Sequence, residues 1–363
     1  MNLFPAVAEA YTRDDMPMLE SQRLAHFIAY GPMIFEAARL LVKFGILDSI
    51  NHSKEGLTIE ETAQKCGISE YAARVLLEAG LSMGAVIVNP ETDRFSITKT
   101  GWFLQNSDIV RINLDFNHDV NYEGMFRLEE SLLEGKPAGL EHFGSWPTIY
   151  EGLSSLPEQV QKSWFAFDHH YSDVSFRDAL KVVFSFKPGR IMDVGGNTGR
   201  FALRCVAFDP DVRVTIVDLP QQIGLMKANT EGKEGADRID GCGANMLDPA
   251  SKLPEGADVI WMSQFLDCFS EEEIVAILSK AASVMTSETK LCIMETFWDR
   301  QRFETASLNL TMTSLYFTAL ANGNSRMYHS DVMIRLVGEA GLVVDSIHDG
   351  LGEGHSILVC KKQ

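Results

Sequence analysis

The sequence predicts an α/β fold: a doubly wound, mainly parallel sheet in its second half, preceded by a mainly helical module. Three observations carry that prediction. Ile191-Met192-Asp193-Val194 has the apolar flanks of a short buried strand, and Gly195-Gly196-Asn197-Thr198-Gly199 follows as a glycine-rich turn. Arg200–Phe208, with Phe201, Leu203 and Val206, can then run as a helix. A second strand, Arg213–Val217, ends in Asp218-Leu219-Pro220, an acid-tipped end about 20 residues past the turn, where a carboxylate can accept both ribose hydroxyls of a nucleoside. Strand, turn and helix place backbone N–H groups at the carboxyl edge of the sheet, where open α/β sheets bind nucleotides. The glycines allow close approach and positive φ, and Asn197 tolerates that region better than most residues do.

The glycine spacing separates two kinds of nucleotide site. A dinucleotide fold uses G-x-G-x-x-G, whereas this chain has adjacent Gly195 and Gly196 followed by Gly199. Asp193–Gly199 resembles the D-V-G-G-G-T-G motif of class I S-adenosylmethionine-dependent methyltransferases, with Asn197 in place of the third glycine. The resemblance implies a Rossmann-like, doubly wound seven-stranded methyltransferase sheet. It also implies S-adenosylmethionine as cofactor, held by Asp193, Gly195, Gly196, Gly199, Asp218, Leu219, Asn245, Met246 and Ser263.

Composition bounds the reading. With 363 residues the chain exceeds one small core and suggests two domains. A formal net charge of −18 argues against a nucleic-acid partner, because that affinity rests on Lys and Arg. The six cysteines are scattered with no CxxC pair, which predicts reduced thiols, a cytoplasmic location and no zinc site. Residues 1–20 lack a basic start and a long apolar run, so no signal peptide is expected. No apolar run reaches the length of about 18 residues that a membrane span needs.

Residues 1–30 read as a helical arm with Leu24, Phe27 and Ile28 on one face. Ile34, Ala37, Ala38, Leu41 and Val42 then repeat at helical spacing, and Gly45 closes that helix. Thr58 and Glu61 form a capping box for a helix through Lys65, with Gly67 as the turn, and Ser69 caps a further helix carrying Ala72, Val75, Leu76 and Ala79. Two extended runs, Ala85–Val88 and Arg94–Ile97, follow. That order is a winged helix-turn-helix. Its candidate recognition helix sets Glu70 and Glu78 against the single cation Arg74, so phosphates would be repelled. Plant-type small-molecule O-methyltransferases, which this chain resembles, place a winged-helix dimerisation domain before the catalytic one, so a homodimer is implied. We divide the chain into a dimerisation domain, 1–105, a helical linker and acceptor-pocket wall, 106–180, and a catalytic domain, 181–363.

The segment 104–180 is mainly helical and aromatic, with Tyr150, Trp164, Phe165, Phe167 and Tyr171 among its rings. In the resembled family such helices help wall the acceptor pocket. Phe167 and His169 are taken as wall residues here. Adjacent His169 and His170 point in different directions on a helix and chelate poorly, so no metal is expected.

Arg238–Cys242 reads as a third strand, followed by Gly243-Ala244-Asn245-Met246. The family has G-D-M there to hold the adenine; this chain keeps Met246 and offers Asn245, which can still accept from the adenine amino group. Ala257–Met262 reads as a fourth strand running into Ser263-Gln264-Phe265-Leu266-Asp267-Cys268-Phe269-Ser270, with Ser270 and Glu273 as a capping box. The family motif is L-H-D-W-S-D-E, whose His is the general base. Matched residue by residue, Asp267 stands at the base position, Cys268 at the Asp and Phe269 at the Trp. Lys290–Glu295 is a fifth strand whose Glu295 matches a family Glu near the active site. Phe303–Leu320 follows as an apolar helix offering Met312 and Tyr316 to the acceptor pocket. The loop 321–328 corresponds to the family's N-P-G-G-K-E-R-T, with Met327 where another Glu orients the His, and His329 two residues on. A Ser330-capped helix leads to two closing strands, Leu342–Ile347 and His355–Cys360.

Methyl transfer from a sulfonium needs alignment and removal of the acceptor proton. Asp267 is the candidate base if burial raises its carboxyl; otherwise His329, His169 or His170 must serve, or the acceptor must be unusually acidic, and Glu295 is the third candidate catalytic residue. The implied activity is O-methylation of a small hydroxylated aromatic or polyketide-like acceptor with an atypical base. Erosion of the His dyad leaves N- or C-methylation or a non-methylating reaction as the alternative, and a ligand-sensing regulator as a third.

Overall fold

Residues that alternate between two apolar faces build the sheet. The computed structural model describes residues 2–363, except the side chains of residues 171–173, so Tyr171 lies outside the described side chains. It divides into two compact units, Asp14–Val120 and the remainder, Met1–Arg13 with Asn121–Gln363.

In the Asp14–Val120 unit, helices Met18–Ala29, Gly31–Lys43, Ile59–Cys66 and Glu70–Ser82 precede an antiparallel hairpin of β1 (Val86–Asn89) and β2 (Arg94–Ile97). The capping box at Thr58 and Glu61 is formed, Gly67 ends that helix at φ 65°, and Ser69 caps the next one. One element was not legible locally. Gly45 (φ 71°) does end the preceding helix, but it also opens a short helix, Ile46–Asn51, that buries Ile46, Leu47 and Ile50. Six residues are too few for a periodic signal, and this helix exists because those three side chains complete the core of the module. The expected N-terminal arm is two helices, Pro5–Tyr11 and Met18–Ala29.

The second unit holds a seven-stranded sheet. Its strands are β3 (Arg190–Val194), β4 (Arg213–Asp218), β5 (Ile239–Gly243), β6 (Val259–Ser263), β7 (Lys290–Glu295), β8 (Leu342–Leu351) and β9 (His355–Lys362), in the order β5-β4-β3-β6-β7-β9-β8. The first five are parallel, and β9 runs antiparallel between β7 and β8. Both faces are covered. Along β6, Val259 and Trp261 join one core while Ile260 and Met262 join the other; along β7, Cys292 and Met294 oppose Leu291 and Ile293. Period-two alternation produces this split. Each fully buried Ile, Leu or Met contributes about 1.5–3 kcal/mol, which fixes the register of the central strands. The strand order reverses between the parallel neighbours β3 and β6, so the crevice lies at their carboxyl ends.

The last helix is Ser330–Glu339, and its cap differs from expectation. His329, not Ser330, is the N-cap: its Nδ1 accepts from the Asp331 N–H at 3.0 Å. Ser330 sits inside the first turn and donates both its N–H and its hydroxyl to buried Asp299.

Candidate active site

The glycine turn begins where β3 ends, and its shape is set by contacts that leave no space for side chains. Gly195 has φ +75°, and a Cβ there would lie 2.4 Å from the Phe265 ring; one on Gly196 would lie 2.7 Å from the Asp193 carboxylate. Asn197 adopts φ +47°. The turn is tied to β4: Asp218 Oδ2 accepts from the Asn197 N–H at 2.9 Å and its Oδ1 from the Leu219 N–H at 2.7 Å. Burial raises the Asp218 carboxyl, and these two N–H groups partly oppose that rise. Leu219 thus enters the site through its backbone.

Asp193 is buried, and its Oδ2 has no hydrogen-bond partner among the described residues. Burial, with the charge of Asp218 adding to it, pushes this carboxyl up to about 7. A cleft of about 570 Å³, counting its open mouth, runs along the turn. Asp193, Gly195, Gly196, Ser263 and, from helix Glu158–Asp173, Asp168 and His169 line it. His169, expected in the acceptor wall, therefore borders the glycine turn. Asn245 is exposed and spends its Oδ1 on the Leu247 N–H at 2.9 Å, while Met246 is buried against the sheet. Gln264 also lines the cleft and was not singled out by the sequence. Its signal is visible only in three dimensions: a non-glycine φ of +45°.

At the end of β6 a single helical turn, Leu266–Cys268, presents Asp267. Glu295, at the end of β7, holds this turn: its Oε1 accepts from the N–H groups of Phe265 and Leu266 at 3.1 and 2.9 Å. Asp267 and Glu295 are both buried. Burial pushes the Asp267 carboxyl up to about 6, against the pull of the Cys268 thiol, which donates to Asp267 Oδ1 at 3.5 Å. Glu295 is pushed well above the usual range by burial and by the neighbouring Asp267 charge. Tyr150 and Tyr316 lie close enough for their phenols to feel Asp267 and Cys268, and burial raises both. Tyr316 accepts from Trp164 Nε1 at 2.7 Å. Tyr150 was legible in the sequence only as one aromatic among many.

His329 is placed otherwise. Its Nδ1 caps the last helix, so its proton resides on Nε2, which has no partner among the described residues; the Trp298 ring stands edge-on at 5.0 Å. Phe167 is half-buried, and Met312 is 54% exposed.

Comparison with known proteins agrees with this arrangement. The O-methyltransferase domain family matches residues 127–342, and the Dimerisation2-like domain matches residues 22–95. The 3-amino-4-hydroxybenzoate 4-O-methyltransferase of Streptomyces cremeus is 23% identical over 337 residues, covering 91% of this chain and 87% of its own. The S-adenosylmethionine-dependent methyltransferase SibL superposes with a TM-score of 0.70 at 20% identity, over 93% of this chain and 98% of its own. NcsB1, an O-methyltransferase from neocarzinostatin biosynthesis solved with S-adenosylmethionine and 2-hydroxy-5-methyl naphthoic acid, superposes at 0.67 with 20% identity, over 91% and 96%. With the family match spanning more than half of its length, and the glycine turn and seven-stranded sheet in place, the chain belongs to the S-adenosylmethionine-dependent O-methyltransferase family.

Proposed function

We propose that the chain transfers a methyl group to a hydroxyl of a small aromatic or polyketide-like acceptor, with Asp267 as general base. The buried Asp267 carboxyl at the crevice end of β6 is the observation that carries this reading.

The cleft suits the cofactor. The cleft runs along a glycine turn packed too closely for side chains, Asp193 Oδ2 is a buried acceptor without a donor among the described residues, and Asp218 keeps lone pairs beyond the two it gives to backbone. Asp193, the three glycines, Asp218 and Ser263 would hold S-adenosylmethionine, with Leu219, Asn245 and Met246 at its nucleoside end. When bound, it supplies an electrophilic methyl on a cationic sulfur. Asp218→Ala should weaken binding about 10- to 100-fold by calorimetry, the loss expected for hydrogen bonds to a charged acceptor, and the freed Asn197 N–H should loosen the turn as well.

The chain's own residues then handle the proton. A phenol near 10 faces an ordinary Asp near 3.9, a mismatch of about six units. Raising Asp267 to about 6 recovers about 3 kcal/mol of it while leaving the group ionised at pH 7. Glu295 acts through Asp267 by fixing the turn that carries it. Tyr316 and Phe167 are assigned to the walls around the acceptor, with Met312 at an outer edge, and His169 to the cofactor cleft it lines. His329 is the alternative base, disfavoured because its accepting nitrogen already caps a helix. Methyl transfer from labelled cofactor to a panel of phenols, hydroxynaphthoates and amines tests the reading; label appearing on amines alone would overturn it.

The active form is a homodimer in this proposal. Helices Met18–Ala29 and Gly31–Lys43 expose Met18, Leu19, Ile28 and Met33, each by about two-thirds or more. A second copy covers them. Light scattering should give a dimer at micromolar concentration, and Leu19→Lys with Ile28→Lys should give a monomer. No helix among the described residues is long and apolar enough to cross a membrane, and all six cysteines are free thiols, which suits a reducing, cytoplasmic setting.

A further inference from the structure

A carboxylate that has to accept a proton loses basicity with every strong hydrogen bond it receives, because each one favours the charged form. Asp267 is under this constraint, and its Oδ1 takes a weak donor, the Cys268 thiol at 3.5 Å. A base placed this way is best fixed through the backbone of the turn that carries it. That turn is a single one, Leu266–Cys268, too short to hold its own shape. Glu295 secures its amino side, accepting from the N–H groups of Phe265 and Leu266. Its carbonyl side needs donors from elsewhere in the chain.

The loop 322–328 supplies them. Asn322 Nδ2 donates to the Cys268 carbonyl at 2.5 Å and the Tyr328 hydroxyl to the Phe269 carbonyl at 2.6 Å, across 54 and 59 residues of sequence. Both donors are themselves held. Asn322 Oδ1 accepts from the Ser325 N–H and hydroxyl at 3.2 and 2.9 Å, which decides which way its carboxamide faces. Tyr328 is buried, and Arg326 lies over its ring at 5.2 Å while pairing with Glu271 at 2.6 Å, in the first turn of the helix Glu271–Val284. Between them, buried Met327 gives its N–H to the Ser314 hydroxyl at 3.1 Å, and its sulfur accepts from the Thr296 hydroxyl at 3.7 Å. Ser314 belongs to the helix Glu304–Tyr316, and Thr296 directly follows Glu295. One loop thus joins the helix that carries Tyr316 to the turn that carries Asp267.

The geometry points to this loop as a clamp in which Asn322 and Tyr328 are positioning residues for the general base. The inference rests on the assignment of Asp267 as that base. Two donors on main-chain carbonyls hold the turn closed without touching the carboxylate, so they fix its direction and exclude water without lowering its basicity. Because Ser314 ties the same loop to the helix of Tyr316, the base and the acceptor wall are set by one element.

The test uses the full chain carrying Tyr328→Phe, which removes one hydroxyl, Asn322→Ala, and both together, with the fastest phenol of the panel above as acceptor. Each single variant should lower kcat about 3- to 10-fold and the double variant about 30- to 100-fold, with S-adenosylhomocysteine affinity by calorimetry changed less than about twofold. The rate limb at about pH 6 should move toward the ordinary Asp value of about 4, because a released turn lets water reach the carboxyl. A readout independent of turnover is alkylation of the Cys268 thiol by iodoacetamide, followed by mass spectrometry, which should be about 10-fold faster in the double variant. Loss of cofactor affinity in step with kcat in Tyr328→Phe would make the hydroxyl a general support of the fold and overturn the proposal. Unchanged kcat, pH limb and alkylation in the double variant, with Asp267→Asn inactive, would bring down the clamp alone. Turnover that survives Asp267→Asn would bring down the base assignment, and the clamp with it.

Discussion

Asp267→Asn is expected to lower kcat by about 10²–10⁴, the usual contribution of a positioned general base, while leaving cofactor affinity nearly unchanged. The wild-type rate should rise with pH through one ionisation near 6, because only the carboxylate form accepts a proton and burial holds its carboxyl up to about 6. That limb should vanish in the Asn variant. The Cys268 thiol, which donates to Asp267 at 3.5 Å, favours the charged form, so Cys268→Ala should move the limb to higher pH. His329→Ala is the paired control. It removes a helix cap, worth about 1 kcal/mol of stability, and should keep the pH limb. Near-normal turnover in Asp267→Asn with collapse in His329→Ala would move the role to the histidine. Near-normal turnover in both would mean that the acceptor ionises without a dedicated base.

The second large effect is on stability. Asp193 is buried, its Oδ2 has no hydrogen-bond partner among the described residues, and its carboxyl is pushed up to about 7, so its ionised form destabilises the ligand-free fold. Below about pH 4 the folded and unfolded chains are both protonated at this position and nothing is lost. Between about 4 and 7 the folded state binds more protons, so stability falls as pH rises, and above 7 the full cost of about 4 kcal/mol is present. Asp193→Asn removes the titration. Against wild type, the Asn variant should gain about 2–4 kcal/mol more at pH 8 than at pH 4, read from urea unfolding at both values. The same variant should bind S-adenosylhomocysteine more weakly, since it replaces an unpartnered buried acceptor lining the glycine-turn cleft. A stability difference that does not change with pH would show that Asp193 is not held in its raised state.

The features legible in the sequence are those that short-range physics writes into neighbouring residues. The capping boxes at Thr58 and Ser270 were readable because both partners of each hydrogen bond lie three residues apart. Strands β3, β4 and β7 were readable to within a residue, since a strand buried on both faces is a short apolar run. The glycine turn was readable because positive φ and close approach demand glycine in a pattern. In each case the cause and its signature occupy the same few residues.

What the tertiary structure alone decided involves partners far apart in the chain. Glu295 holds the turn of Asp267 from about 30 residues away, and Tyr316 takes its hydrogen bond from Trp164, 152 residues earlier. His329 became a cap because Asp299 claims Ser330, and Gln264 reached the cleft through a φ that no residue pattern announces. Sequence alone determined the fold class, the glycine turn after β3 and the presence of an acid, Asp267, just past the end of β6. Burial decided the rest, because a carboxyl or carboxamide is ordinary in water and becomes reactive or ligand-seeking only when distant segments exclude water from it.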